Sequence, residues 1–158
     1  LGSQFLNQQK FEESAAMISP ALEIQKRKLG EDDIAVAYTK RVLATRLEIL
    51  GRTKEAEKLY QSALQAIRKQ PRSSQATAGN RKNEVGNELY EKGEYSKALS
   101  AYLGAFSDYE RALGPDHIHV AAMYDNIAKT LRKQDRQKEA DVYARRAEAI
   151  RAATKDSQ

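Results

Sequence analysis

Cysteine is absent from the 158 residues, which excludes disulfides, thiolate metal sites and cysteine nucleophiles together and is compatible with a reducing, cytoplasmic compartment. Histidine occurs only twice, at 117 and 119. Two residues apart on a helix, these rings point in different directions, and with no cysteine to join them they make no metal site; a first-turn surface role is expected. No apolar run approaches the roughly 20 residues that span a bilayer, and no charged-then-apolar amino terminus resembles a secretion signal, so no membrane role is expected. Phosphate loops and nucleophile motifs are missing as well. The paired acids Glu12-Glu13 and Asp32-Asp33 read as helix-start charges rather than as an acid–base couple. No enzyme activity, catalytic residue, cofactor or metal is therefore assigned.

The remaining composition is that of a wet, core-forming chain: 41% apolar residues can supply a core, while 31% charged residues leave much surface for water. The net charge of +5 is uneven, with residues 80–125 acidic and 126–158 basic. No interleaving of basic and aromatic residues accompanies it, so nucleic acid is not the expected partner. Leu1-Gly2-Ser3 resembles the remnant of a cleaved expression linker, which places the expected native start near Gln4 and makes the chain an expected excerpt of something longer.

Against this background one pattern recurs. Ser14, Ala56, Ala98 and Ala140 stand 42 residues apart, as do Ala21, Ala63, Ala105 and Ala147. Gly2, Ala44, Gly86 and Ala128 keep the same step, beside Leu1, Leu43, Val85 and Ile127, and then Phe5, Leu47, Leu89 and Leu131. Self-similarity of this length signals a stacked repeat whose units cannot each cover their own apolar face. Within a unit the apolar spacing is helical. Val85, Gly86 and Leu89 mark one helix, Lys92-Gly93-Glu94 breaks it, and Ala98, Tyr102, Ala105 and Phe106 mark a second. Each unit is thus expected to be an antiparallel helix pair, with small residues letting the axes approach.

Local chemistry sets the expected boundaries. Asp33 and Asp116 can cap helix starts, and Gly30 and Gly114 sit where helices end in a left-handed turn. Pro71, Ser73, Ser74 and Gly79 make residues 69–79 the expected flexible joint, and Pro20 is expected to kink the helix containing it. These signals divide 4–154 into one repeat domain of about four units, 4–30, 31–70, 76–114 and 115–154, the first truncated at its first helix, with 155–158 as a tail.

The small columns, the Val85-Gly86 pair and "GEYSKALSAYLGAF" from Gly93 to Phe106 resemble the tetratricopeptide repeat family. The 42-residue step and "ALGPDHIHVAAMYDNIAKTLRKQDRQKEADVYARRAEAI" from Ala112 to Ile150 resemble the longer repeat of kinesin-light-chain-type proteins. The resemblance implies an all-α fold of helix-turn-helix units stacked as an α-α superhelix, with first helices lining a concave groove that holds an extended peptide or a helix of another protein. Asp135 departs from the turn glycine seen at Gly51 and Gly93, and Ala144 from the tyrosine at Tyr60 and Tyr102.

Candidate groove residues follow from helical spacing. Asn80, Asn83, Asn87 and Tyr90 form one polar stripe. Asparagine is a poor helix former, and its amide offers both donor and acceptor to a peptide main chain; plain solvation, or capping at Asn80, is the alternative. The matching stripes are Tyr38, Arg41, Thr45 and Glu48, and then Asp125, Lys129 and Arg132 with Asn126 and Lys133 alongside. Arg41, Lys129, Arg132 and Lys133 favour an acidic partner segment, although as separate solvated charges each is worth little. Relatives that clamp a terminal carboxylate are matched in part by Asn83, Asn87 and Asn126, but Asn83 stands where a lysine is usual. The second reading is structural assembly, with self-association through exposed terminal helices.

Overall fold

A computed structural model describes residues 2–70 and 76–155, with side chains from residue 8 onward. Among the described residues there are seven helices and no strand: α1 (Gly2–Leu29), α2 (Ile34–Ile49), α3 (Thr53–Arg68), α4 (Ala76–Glu91), α5 (Tyr95–Leu113), α6 (Ile118–Lys133) and α7 (Gln137–Lys155). They gather into two compact units, residues 1–70 and 71–158. The fold class is all-α, of helix-turn-helix repeats.

Three turns share one hydrogen-bond pattern at the 42-residue step. The amide of Gly51 reaches the Glu48 carbonyl at 3.0 Å and that of Arg52 reaches Leu47 at 2.8 Å. Gly93 to Tyr90 (3.0 Å) with Glu94 to Leu89 (2.9 Å), and Asp135 to Arg132 (3.2 Å) with Arg136 to Leu131 (3.0 Å), repeat it. This arrangement ties off the last helical carbonyls and needs a left-handed residue. Gly51 and Gly93 supply it with φ of 80° and 75°, and Asp135 adopts 58°, a conformation that aspartate tolerates better than most residues.

The same column begins at Gln9, and there no turn forms: α1 runs unbroken from Gly2 to Leu29. Where each later pair has two helices, the chain here has one. Without a turn to set its phase, α1 buries Ala15 and Leu22, one residue past the expected Ser14 and Ala21, and Ala21 is exposed. Glu12 and Glu13 consequently lie within a helix and not at its start. Pro20 lies inside α1, where it deprives the Ala16 carbonyl of its helical donor.

In the first unit α1 packs on α2 and α2 on α3, around Ala15, Leu22, Leu43, Ala44, Leu47 and Ala56. Asp33 caps α2 as expected, its Oδ1 accepting from the Ala35 amide at 2.8 Å. Lys40 is buried but not unpartnered. Its Nζ lies 2.5 Å from Glu31 Oε1 and donates to Ser62 Oγ at 2.8 Å. That hydrogen bond from Lys40 holds the Glu31 carboxyl below the usual carboxylate range.

In the second unit α4 packs on α5, α5 on α6 and α6 on α7. The small columns meet here as anticipated: Gly86, Ala98, Ala105, Ala128, Ala140 and Ala147 are all buried, with Tyr102, Phe106, Tyr124, Ile127 and Leu131 filling the space around them. Three expectations need correction. Gly79 belongs to α4 and is buried, not part of a joint; Pro71, Ser73 and Ser74 lie outside the described residues. The cap of α6 is His117, one residue after Asp116: His117 has extended backbone (φ −80°, ψ 146°) and its Nδ1 accepts from the His119 amide at 3.2 Å. Val85 is 49% exposed; its counterparts Leu43 and Ile127 are buried in cores to which the preceding helix of their own unit contributes, and α4 is the first helix of its unit.

Candidate functional site

Two Gly-Asn pairs, Gly79-Asn80 and Gly86-Asn87, lie seven residues apart on α4, and Tyr102 and Tyr109 lie seven apart on the antiparallel α5. Seven residues are close to two helical turns, so each tyrosine meets one pair. The Tyr102 ring occupies the space a side chain on residue 86 would need: a Cβ there would stand 2.6 Å from Cδ1 and Cε1. At Gly79 the corresponding approach to Tyr109 Cδ1 is 3.1 Å. The Tyr102 hydroxyl then donates to Asn87 Oδ1 at 2.8 Å, and the Tyr109 hydroxyl to Asn80 Oδ1 at 2.5 Å. Burial raises both phenol pKa values, keeping these hydroxyls protonated and donating.

The third asparagine of the stripe faces α6. Asn126 Nδ2 donates to Asn83 Oδ1 at 3.2 Å, which brings the α4 and α6 stripes onto one surface. The carbonyl oxygens of Asn80, Asn83 and Asn87 each accept a hydrogen bond from a neighbour, and among the described residues their amide N–H groups, two donors on each side chain, have no partner. Lys129, exposed, sets its Nζ 4.2 Å from the centroid of the Tyr90 ring, a cation–π contact. Tyr90 also meets Tyr95 edge-on at 5.3 Å, and its hydroxyl is buried without a hydrogen-bond partner among the described residues. Arg132 reaches Asp141 at 3.5 Å, Lys133 is exposed, and Asp125 is held by both arms of Arg151 at 2.6 and 3.2 Å. Glu84, Glu88 and Glu91 are exposed on α4 and put negative charge on that helix, while α6 exposes Lys129, Arg132 and Lys133.

The first-unit stripe is different. Arg41 and Thr45 are buried and Tyr38 is half-buried, where a solvent-facing stripe was expected. Thr45 Oγ1 donates to the Arg41 carbonyl at 3.0 Å, and the Arg41 guanidinium lies 5.7 Å from the Tyr38 ring centroid. These three residues are packed, and the open polar face is that of Asn80, Asn83, Asn87, Tyr90, Asn126, Lys129, Arg132 and Lys133. A cleft of about 280 Å³ in the first unit is lined by Glu12, Ala15, Ala16, Ser19, Leu50 and Arg52; Arg52 is engaged by Glu55, leaving no convergent set of polar groups there.

Tyr102, which helical spacing marks only as core, and Tyr109 both bond to the asparagines of the candidate stripe. The signal was present in the doubled Gly-Asn of α4 matched by the doubled tyrosine of α5. Near this face His119 stacks on Tyr109 with ring centroids 5.3 Å apart. Among the described residues no three side chains gather to hold a metal ion, and no helix is long and apolar enough to cross a membrane.

Solved structures with a similar course include BtubC (BKLC) from P. vanneervenii, 20% identical over 92% of this chain and 58% of its own length, with a TM-score of 0.48. A putative kinesin light chain with nearly identical TPR-like repeats from Podosopora anserina is 18% identical over 91% of this chain and 68% of its own, with a TM-score of 0.45. The chain thus spans 58% of the length of the first of these. No curated protein matches it. The tetratricopeptide repeat family model matches residues 1–69 and 81–153. Such repeats generally mediate protein–protein interaction as non-catalytic scaffolds. With both matched stretches together covering most of its length, the chain belongs to the tetratricopeptide repeat family.

Proposed function

We propose that the α4–α6 face of the second unit binds a segment of another protein, an extended stretch carrying at least one acidic side chain, and that the chain works as a non-catalytic, cytoplasmic interaction module with no cofactor. The Asn83–Asn126 hydrogen bond is the observation that carries this reading, because it lays the amide donors of α4 beside the cations of α6. Main-chain carbonyls and carboxylates of the segment meet the asparagine amides, and a carboxylate also meets Lys129 and Lys133. A Lys129→Ala/Lys133→Ala variant tests it in affinity capture followed by titration of the captured protein. Loss of one specific partner, with helicity unchanged, supports the reading; capture of the same proteins at the same affinity contradicts it.

A second reading, structural assembly, is favoured by the apolar stripe on α1, where Met17 is 76% and Ile24 54% exposed one heptad apart on the same helix face. It predicts a dimer by light scattering that Met17→Glu/Ile24→Glu converts to monomer. A wild-type chain that stays monomeric at high concentration excludes it.

A further inference from the structure

We infer that Tyr102 and Tyr109 are positioning residues for this interaction face: by holding the carbonyl ends of Asn87 and Asn80 inward, their hydroxyls make α4 present amide donors outward, and so select a ligand rich in acceptors. The inference rests on the reading of the α4–α6 face as the docking surface and adds what sets its polarity.

An asparagine amide has a donor end and an acceptor end of nearly equal size, and a free one on a helix presents either by rotating about χ2. Three such residues in a stripe would therefore make an indifferent surface. Here rotation is suppressed at each. Tyr109 donates to Asn80 at 2.5 Å and Tyr102 to Asn87 at 2.8 Å, and Asn126 donates to Asn83 at 3.2 Å. The two tyrosines are themselves fixed, each buried to within 4% of full coverage and seated over a glycine whose missing side chain makes the room. Burial holds their protons on, so the hydroxyl is a ready donor and the asparagine's favoured response is to offer its oxygen. The sense of the amides is thus dictated from the core of the helix pair outward. Lys129 and Lys133 add cations alongside, and together with the amides they complement a peptide whose carbonyls and carboxylates accept.

The repeat varies this arrangement. The α2–α3 pair keeps a tyrosine, Tyr60, beside Ala44 and Thr45, whereas at the columns of Gly86, Asn87 and Tyr102 the α6–α7 pair has Ala128, Lys129 and Ala144, and a lysine, which can only donate, stands where the oriented amide stood. The α4–α5 and α6–α7 pairs therefore place an outward donor at this column by different means.

The test compares two probe peptides, capped hexaglutamate and capped hexaglutamine, by titration against the intact chain at low salt. Tyr102→Phe/Tyr109→Phe keeps both rings and removes only the hydroxyls. It is expected to lower the preference for hexaglutamate about threefold to tenfold, the scale of one to two hydrogen bonds, as the freed amides turn. Asn80→Asp/Asn87→Asp is the second arm: each carboxylate still accepts from its tyrosine but gives no outward donor, so hexaglutamate binding falls at least tenfold while the melting temperature holds, and the loss persists at 0.5 M salt, roughly where simple charge repulsion is screened beyond a few Å. A wild-type preference that survives unchanged in the phenylalanine variant overturns this inference and leaves the docking reading in place. A wild-type chain that binds neither peptide overturns both.

Discussion

The hydroxyl of Tyr102 and the amide of Asn87 lie 2.8 Å apart across a helix pair in which the Tyr102 ring fills the space that a side chain on residue 86 would need. Gly86→Ala would put a Cβ 2.6 Å from the Tyr102 ring, closer than carbon atoms pack. The gain in helix propensity, about 1 kcal/mol, is outweighed by overpacking of about 1 to 3 kcal/mol, so a lower midpoint in urea unfolding is expected. At Gly79 the approach is 3.1 Å, and Gly79→Ala is expected to be milder. Because Ala128 and Ala144 already coexist in the last pair, Gly86→Ala and Tyr102→Ala should be less than additive, with a coupling of roughly 0.5 to 3 kcal/mol; strict additivity would disprove the contact.

The turn after α6 is the strained one of the three. Asp135 holds φ at 58° where Gly51 and Gly93 hold similar angles without cost. Asp135→Gly is expected to stabilise the chain by up to about 1 kcal/mol, the penalty of a left-handed L-residue less the added freedom of the unfolded glycine. Gly93→Ala should cost about 1 kcal/mol by the same reasoning. Thermal unfolding of the two variants, moving in opposite directions, checks this.

The α6 cap makes its first turn sensitive to acid. His117 accepts from the His119 amide through Nδ1, which requires that nitrogen to be unprotonated, and burial followed by the neighbouring His119 lowers its pKa from the ordinary 6.5. A folded-state value below the unfolded one means that the unfolded chain binds more protons, so stability rises with pH. The cap's contribution is whole above about pH 6.5 and is lost as pH falls from there through the folded-state value. Amide exchange at His119 and Val120 should accelerate in that window. His117→Asn, which caps without titrating, should remove the pH step; an unchanged step would assign it elsewhere.

Tyr90 separates stability from binding. Its hydroxyl is buried and has no hydrogen-bond partner among the described residues, which costs about 1 to 3 kcal/mol. Tyr90→Phe removes that cost and keeps the ring under Lys129, so chemical denaturation should show equal or greater stability. Because the hydroxyl is buried out of reach of a docked segment, partner affinity is expected to stay unchanged in the same variant. A loss of stability would mean that the hydroxyl has a partner.

What could be read beforehand divides along a physical line. The turns at Gly51, Gly93 and Asp135 and the close packing at Ala98, Ala105 and Ala128 were legible because each depends on one residue's own backbone freedom or size, repeated at a fixed step. The shift of burial on α1 from Ser14 and Ala21 to Ala15 and Leu22 was not, because register there depends on a turn that Gln9 fails to make. The move of the α6 cap from Asp116 to His117 turns on one extended residue that composition does not reveal. Arg41 and Thr45 were placed on an open stripe by helical spacing, which gives direction on a helix but not what covers it. The Asn80–Tyr109 and Asn87–Tyr102 bonds join side chains 29 and 15 residues apart, and only the assembled pair of helices brings them together.

The central claim, that α4 and α6 form one docking face, is tested most directly by mapping backbone and side-chain amide shifts while capped hexaglutamate is added to the intact chain. The account predicts that the perturbed signals cluster at residues 80–90 and 126–133 and include the side-chain amides of Asn80, Asn83 and Asn87. Perturbations confined to α1, or to the outer faces of α5 and α7, would contradict it.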